Sequence, residues 1–495
     1  MANVLLIVPT GEEDAAISSF AGPHCGSHRI AGYLRKFGHD VTVWDQWYDS
    51  LRLEEVLAAK DWNLIGFSPL SHTLPQDIMA MQTSHRLCPR AKIVAGGMEA
   101  ALNFQEIFDH TDVNAVILAE GEEPMRALSD MADSGVYREV SAIPGIIWRE
   151  RAKPITGGDL WNYYQCMDFS SMNYPLYWAR IRELTGNQQY EPDIRLVTET
   201  HCNRNCIFCS QTNFHRRAIG RTIAPAMLTA EQIYDIICRA KRDLPELKRV
   251  KFDGDDFFMD RQRALTFFRD YAQREPLSGF KYLVEAGIPT VDEKLVFAGA
   301  MSGLVFLNMG LENCSQRVLK ALGKPQDVEK TIQIISWCRK YRVEPYLLIL
   351  LFAPESTIED LRLNADMLTE FMESGAALGI SPNIRPYRGT RLYEMDYDFE
   401  WRSVPLAGGG TLKQAYIAWC RDPEARAIQE AFWEAWPSRL RQIKELEGHA
   451  YSRRIAPEIL HLLKELLSTT PGAKAQNGDY SPTSPCPKAG ISRRS

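Results

Sequence analysis

The sequence has no long hydrophobic run and no excess of positive charge. Its longest apolar stretch, YLLILLF at 346–352, has the length of a strand and is too short to cross a bilayer. The formal net charge of −6 argues against a general surface for nucleic acid or anionic membranes. The start MANVLLIVPTGEE lacks a basic leader and reads as a buried strand. We therefore expect a cytoplasmic protein that binds neither nucleic acid nor membrane.

The cysteines show no pairing pattern. The chain has 11 of them, an odd number, and one clustered group, Cys202, Cys206 and Cys209. Such scatter fits a reducing compartment better than a disulfide framework. A structural zinc site takes four ligands, commonly as two separated pairs, and this group of three cysteines does not have that arrangement. Three thiolates from one loop can instead bind three irons of a cubane iron–sulfur cluster and leave the fourth iron open.

The first 150 residues alternate apolar strand-like runs with helical patterns. A helix capped by Ser27 and ended by Gly38 is predicted after the first strand. Such alternation predicts a doubly wound α/β domain of Rossmann type over 1–150. The predicted buried strands are 3–8, 40–44, 63–68, 92–97 and 115–121.

A second β/α series begins near residue 191 and predicts a partial (β/α)6 TIM barrel over 191–399. Between the two domains, residues 151–190 read as a connector without clear periodicity. After the barrel, 400–469 is predicted to be helical, and 470–495, rich in Pro, Gly and Ser, to be a disordered tail. The predicted barrel strands are 194–200, 249–253, 281–286, 304–310, 346–352 and 378–384.

The cysteine loop follows the first of these strands directly. The pattern Cys202-x3-Cys206-x2-Cys209, with Phe208 before the last cysteine, resembles the signature of radical S-adenosylmethionine (SAM) enzymes. The resemblance implies a 4Fe–4S cluster held by the three cysteines, with SAM bound to the open iron near Phe208. It also implies reductive cleavage of SAM to a 5′-deoxyadenosyl radical that abstracts hydrogen from a substrate.

Acidic residues end several of the following strands. FDGDDFF at 252–258 and NMGLEN at 308–313, followed by VLKALGK at 318–324, resemble further motifs of that family. The resemblance places Asp255 or Asp256, and also Glu312, close to SAM, and Glu285 ends the third strand. The alternative for each acid alone is a helix cap or a solvated strand end.

Two segments depart from the family pattern. PEST at 354–357 stands where Pro-Gly-Glu-Thr is common, and Arg388 replaces a proline in PYRGT at 386–390. Glu355, Arg385 and Arg388 are candidate catalytic groups, because a radical elimination would need an acid or base beside the reacting carbon. If these side chains point outward, they are ordinary solvated charges.

The first domain resembles the cobalamin-binding domain that precedes many radical SAM barrels, through GSHRIAGYLRKFGHDVTVWD (26–45), IVAGG (93–97) and AEGEEPMRAL (119–128). Gly96 and Gly97 suit close approach of the backbone to cobalamin, Ser68 can donate a hydrogen bond, and His72 is a candidate cobalt ligand. Asp-x-His-x-x-Gly and Gly-x-Gly-x-x-Gly are absent, and PHCGSH (23–28) departs from the usual apolar loop. A scaffold without cobalamin is therefore the alternative.

Three functions compete on this sequence. The first is cobalamin-dependent methylation of an unactivated carbon in a small molecule, as in a natural-product pathway. The second is cobalamin-independent dehydration, epimerisation or oxidation of a sugar, amino-sugar or polyol. The third is a non-catalytic iron–sulfur or zinc protein, which the acids at successive strand ends argue against. The resemblance also implies an electron donor of flavodoxin or ferredoxin type, or a dedicated reductase.

Overall fold

The computed structural model describes residues 1–11, 22–118, 120–134, 143, 145–148, 151–152, 166–200, 202–211, 226–324, 326–406, 409–447 and 452–469. The predicted tail at 470–495 lies outside these residues. No helix within the described ranges has the length and apolar character needed to cross a membrane.

The amino-terminal domain is a seven-stranded sheet in the order β2-β1-β3-β4-β5-β6-β7. Its first five strands are parallel and its last two pair antiparallel. The sequence order reverses between β1 and β3, where a doubly wound sheet opens its ligand crevice. The strands are β1 Asn3–Val8, β2 Asp40–Asp45, β3 Leu64–Phe67, β4 Lys92–Ala95, β5 Ala115–Ile117, β6 Ile146–Trp148 and β7 Arg151–Ala152.

Apolar cores on both faces of this sheet confirm the predicted doubly wound architecture. The predicted Ser27 cap is wrong, because the helix begins one turn earlier, after His24. The His24 ring Nδ1 accepts the backbone N–H of Ser27 at 3.1 Å and so takes the capping role. The domain's helices are Cys25–Lys36, Leu53–Ala58, Leu74–Leu87, Gly97–Leu102, Phe104–His110 and Glu122–Ser134.

The second domain is an open parallel sheet of six strands in the order β15-β14-β13-β12-β11-β8. All six predicted barrel strands are confirmed. One face of each strand carries apolar side chains that pack under the surrounding helices. The strands are β8 Asp193–Leu196, β11 Arg249–Phe252, β12 Lys281–Ala286, β13 Leu304–Glu312, β14 Glu344–Phe352 and β15 Ala377–Asn383.

The second domain also contains a short ribbon and the helices that alternate with its strands. A two-stranded ribbon, β9 Glu199–Thr200 with β10 Ala226–Met227, follows the first barrel strand. The helices are Ala230–Asp243, Arg261–Thr266, Glu293–Met301, Gln316–Ala321, Val328–Tyr341, Ile358–Glu373 and Arg391–Glu394.

The segment between the domains contains a helix, Tyr174–Thr185, that the sequence did not predict. Trp178 on this helix is buried in the barrel core. The neighbouring Tyr177 stacks on Trp47 of the first domain with ring centroids 5.0 Å apart, and its hydroxyl donates to Asp45. The helix thus packs against both domains.

The predicted helix over 400–469 is wrong for its first part. Two strands in this part, β16 Phe399–Pro405 and β17 Thr411–Ala418, pair antiparallel as a hairpin. Leu406 and Leu412 from this hairpin enter the apolar core of the amino-terminal domain, so tertiary burial decides its conformation. Helices follow at Pro423–Glu447 and Ser452–Thr469.

Candidate functional site

The three clustered cysteines lie on one loop at the carboxyl end of the first barrel strand. Cys206 is 7% exposed, and Cys202 and Cys209 are half-buried. Burial raises the pKa of the Cys206 thiol to about 11; Lys324 lowers it, while Cys209, Glu312 and Cys202 raise it further. Each thiol therefore lies within electrostatic range of the other two. Because metal ligation needs the thiolate, binding a cation here would release protons.

Neighbouring turns hold this loop in place. The Ile207 N–H donates to the Leu322 carbonyl at 3.0 Å, and the Leu392 N–H donates to the Ile207 carbonyl at 2.9 Å. Gly323 has φ +67°, and a Cβ there would lie 2.5 Å from the Asn205 carbonyl oxygen. The turn therefore needs glycine both for its left-handed backbone and for its close approach to the loop.

Phe208, a predicted cofactor contact, packs beside the apolar cluster that supports the loop. This cluster joins the loop to the helices Gln316–Ala321 and Arg391–Glu394 through buried aliphatic side chains. Its members include Ile207, Val318, Leu322, Ala353, Ile384 and Leu392.

The two acids predicted near SAM both contact the cysteine loop. Asp255 Oδ2 accepts the backbone N–H of Cys202 at 3.1 Å. Asp256 is 1% exposed, and its Oδ2 accepts Arg204 Nη2 at 2.9 Å. Burial raises the pKa of Asp256, and the Arg204 guanidinium opposes that shift. Asp256 is thus committed to partners from the protein, whereas the half-buried Asp255 lies at the cysteine loop itself.

Glu312, which the resemblance places close to SAM, lies within electrostatic range of the Cys206 thiol. Its carboxylate Oε1 accepts Lys324 Nζ at 2.5 Å, and both side chains are 11% exposed. The backbone of Glu312 has φ +66°, an uncommon conformation for a residue with a side chain. Such outliers concentrate at functional sites, because the surrounding structure must hold them in place.

Glu285 belongs to a polar cluster on the inner face of the barrel. Lys251 Nζ lies 2.9 Å from Asp253 Oδ1 and 3.4 Å from Glu285 Oε1, and Arg195 Nη1 lies 3.5 Å from Asp253 Oδ2. Burial raises the pKa of Glu285 to about 7; Lys251 opposes the rise and Asp253 adds to it. Glu285 can therefore take or give a proton near neutral pH.

A cavity of about 390 Å³ lies between the two domains. Its walls combine strand ends of the first domain with the inner face of the barrel. His72, the candidate cobalt ligand, lies in this wall. The other lining residues include Pro9, His24, Cys25, Gly26, Asp45, Trp47, Thr73, Tyr177, Arg195, Val197 and Asp253.

A slot of about 110 Å³ enters the carboxyl edge of the first sheet and brings together Ser68, Gly96 and Gly97, as the sequence predicts. Gly97 has φ +80°, and a Cβ there would lie 2.7 Å from Ser68 Oγ. The glycine therefore keeps the slot open and the hydroxyl accessible. Gly26 lines both this slot and the cavity between the domains, so the two spaces are neighbours.

The three candidate catalytic residues contact protein groups away from the cavity between the domains. Arg388 Nη1 forms an ion pair with Glu106 of the first domain at 2.9 Å, and Arg385 Nη2 lies 3.5 Å from the Ser71 carbonyl oxygen. Glu355 accepts the Tyr397 hydroxyl at 3.0 Å and pairs with an arginine of the carboxyl-terminal region. Contacts across the domain junction and to the carboxyl-terminal segment thus account for all three side chains.

Sequence reasoning missed several charged residues of the site, among them Arg195, Arg204 and Lys324. Arg204 stands inside the cysteine motif and Lys324 ends VLKALGK, so both lie in segments that resemble family motifs, although neither was assigned a role. In the sequence, Arg195 looks like an ordinary polar residue of a strand. The alternation of buried and half-buried side chains along β8 is the one signal that Arg195 faces away from the helices.

Comparison with known proteins agrees with this geometry. Residues 18–129 match the family model of the B12 binding domain, and residues 197–368 match that of the radical SAM superfamily. An uncharacterized methyltransferase of Pyrococcus horikoshii is 21% identical over 405 residues, which cover 80% of this chain and 83% of that protein.

Two solved structures share the fold. TsrM from Kitasatospora setae, a radical SAM methyltransferase with cobalamin and a [4Fe-4S] cluster bound, has a TM-score of 0.66 at 15% identity over 94% of this chain and 100% of that chain. The cobalamin-dependent SAM radical enzyme OxsB, with aqua-cobalamin bound, has a TM-score of 0.69 at 16% identity over 94% of this chain and 72% of that chain.

These two domains imply an iron–sulfur cluster with SAM, and cobalamin, as cofactors. The donor set fits the cluster: three thiols, one buried and two half-buried, share one loop. The slot at Gly97, which a Cβ would fill, fits insertion of part of cobalamin. The chain thus carries an amino-terminal B12-binding domain followed by a radical SAM domain.

Proposed function

We propose that this protein is a cobalamin-dependent radical SAM methyltransferase that methylates an unactivated carbon of a small molecule in a natural-product pathway. The observation that carries the proposal is the cavity between the domains, which is lined by His72 and Thr73 of the first domain and by Arg195 and Asp253 of the barrel. A substrate in this cavity would have both cofactor sites as neighbours.

Each group of site residues would bind a different cofactor. Cys202, Cys206 and Cys209 would hold the cluster. The slot with Ser68, Gly96 and Gly97 would take part of cobalamin, and the neighbouring cavity, which shares Gly26 as a lining residue, would take the rest. When bound, the cluster with SAM supplies a radical that removes a hydrogen atom from carbon, and cobalamin supplies a methyl group.

The barrel wall would orient the substrate and exclude water. Arg195 and Asp253 line the cavity and offer a cation and an anion for polar groups of a substrate. The pKa of Asp253 is lowered, because Lys251 and Arg195 outweigh the upward effect of burial. Asp253 is therefore an anion at neutral pH. Fixed charges of both signs favour a substrate with several polar groups over a plain hydrocarbon.

A second candidate function is radical dehydration, epimerisation or oxidation of a polyol, sugar or amino-sugar without cobalamin. The specific observation in its favour is Glu285, whose pKa of about 7 suits a general acid or base, beside Lys251 and Asp253. Under this alternative the first domain acts as a scaffold. Both functions need an external one-electron donor, for which we propose a flavodoxin, a ferredoxin or a dedicated reductase.

The first experiment measures cofactor content and the fate of SAM. Protein purified without oxygen is reconstituted with iron and sulfide, incubated with hydroxocobalamin and passed through gel filtration. Near-stoichiometric retained corrinoid, with both S-adenosylhomocysteine and 5′-deoxyadenosine formed from SAM under a chemical reductant, supports methyl transfer. Formation of 5′-deoxyadenosine without retained corrinoid would refute the methyltransferase and favour the second candidate. Absence of any iron-dependent SAM cleavage would refute both.

A further inference from the structure

One partly buried ion pair joins the cysteine loop to the loop that follows the second strand of the barrel. Arg204 lies between the first two cysteines of the loop, and its Nη2 donates to Asp256 Oδ2 at 2.9 Å. The two side chains are 21% and 1% exposed. Because a guanidinium keeps its charge in proteins, a buried one needs an anion beside it. Asp256 supplies that anion.

Residues of neighbouring loops contact both side chains of the Arg204–Asp256 pair. A Cβ at Gly287 would lie 1.9 Å from Arg204 Nη2, so the guanidinium packs directly on that glycine. The Thr290 hydroxyl lies 2.9 and 3.0 Å from the two Asp256 carboxylate oxygens, and the Phe258 N–H donates to Oδ1 at 3.2 Å. Asp256 therefore joins the loops that follow the first, second and third barrel strands.

We propose that Arg204 and Asp256 are positioning residues, which fix the cysteine loop in its ligand geometry and balance the charge next to the iron–sulfur cluster. This inference rests on the proposed function, since it needs a cluster on Cys202, Cys206 and Cys209. Ligand sites work when their side chains are held within about 0.5 Å of the required geometry, and a charge-assisted bond from inside the loop does this directly. Asp256 thus acts through Arg204, whereas Asp255, the other acid that the resemblance offered for SAM, accepts the backbone N–H of Cys202 in the cysteine loop itself.

If the pair balances charge, variants that change its charge should shift the midpoint potential of the cluster. A purely structural role for the pair would not predict such a shift. Asp256→Asn adds one net positive charge near the cysteines at nearly constant shape. A positive charge stabilises the more negative, reduced state of a cluster, so its midpoint potential should rise. The double variant Arg204→Met/Asp256→Asn restores the net charge and should return the potential towards the wild-type value. Arg204→Lys keeps the charge and should change the potential least.

The test is a redox titration of the reconstituted full-length protein, followed by electron paramagnetic resonance of the reduced cluster without SAM. Iron and sulfide retained after desalting are measured in parallel. Variants that lose Arg204 should retain the cluster about 10-fold less tightly, which is the usual cost of removing a partner that orients metal ligands. Glu122→Gln is the matched control: it removes a carboxylate that is 0% exposed and paired with Arg29 in the other domain.

The outcomes separate this inference from the proposed function. If wild-type protein reconstitutes no cluster, the proposed function fails. Two outcomes would refute the charge balance, provided that wild-type protein and Glu122→Gln carry the cluster. In the first, the midpoint potential of Asp256→Asn is unchanged. In the second, the midpoint potential of the double variant shifts as far as that of Asp256→Asn. If Arg204→Met retains the cluster as tightly as wild type, the positioning role is refuted.

Discussion

Replacing Gly323 by alanine should remove the iron–sulfur cluster while leaving the barrel folded. Gly323 has φ +67° and lies in the turn against which the cysteine loop packs. An added Cβ would lie 2.5 Å from the carbonyl oxygen of Asn205, the residue before Cys206. A backbone carbonyl cannot rotate away as a flexible side chain can, so the loop itself must move.

Two costs follow from this geometry. The left-handed backbone conformation costs alanine about 1–2 kcal/mol relative to glycine. In addition, the Asn205 carbonyl must retreat by about 0.9 Å to reach ordinary contact at 3.4 Å. That displacement exceeds the tolerance of about 0.5 Å within which a ligand site must be held. The conformational cost therefore lowers stability, and the displacement lowers cluster retention.

Gly279→Ala is the control that separates the conformational cost from the collision with the loop. Gly279 has φ +82°, and a Cβ there would meet no atom within 4 Å. This variant carries the conformational cost without the collision. We expect both variants to show similar decreases in melting temperature, and Gly323→Ala alone to lose bound iron and the visible absorbance of the cluster after anaerobic reconstitution and desalting. Full iron content in Gly323→Ala, or equal iron loss in both variants, would refute this account of the turn.

Three further predictions follow from other parts of the site. Gly97→Val, whose Cβ would lie 2.7 Å from Ser68 Oγ, should lose corrinoid retained through gel filtration and keep its iron; unchanged corrinoid would argue against the slot as a binding site. Burial raises the pKa of Glu285 to about 7 from 4.5, so the folded state binds this proton more tightly and stability should fall as pH rises through that interval. Glu285→Gln should flatten this part of the profile of melting temperature against pH, whereas an unchanged profile would exclude Glu285 as its source. Lys324→Met leaves the buried Glu312 carboxylate without its cation and should destabilise the fold by about 3 kcal/mol, seen as a lower urea midpoint, with partial recovery in Glu312→Gln/Lys324→Met.

Most strands and the cluster ligands could be predicted from the sequence because their signals are local. β1 and β12 were predicted with their observed bounds, Asn3–Val8 and Lys281–Ala286, since buried parallel strands appear as short apolar runs between turn residues. The spacing of the three cysteines is likewise a property of one loop. The pairing of Phe399–Pro405 with Thr411–Ala418 was missed, because burial of Leu412 in another domain decides its conformation.

The sequence by itself indicated the order of the domains, most of their strands and the three cysteines that we propose as cluster ligands. The tertiary structure alone showed which partner each charged residue has. Arg388, a candidate catalytic residue, forms an ion pair with Glu106 across the domain junction, and Asp256, one of the two acids offered for SAM, pairs with Arg204 from 52 residues away. The physical reason is that strand and loop signals arise between near neighbours in sequence. The partner of a buried charge depends on which distant segments folding brings within 3 to 4 Å, and the residue alone does not encode that distance.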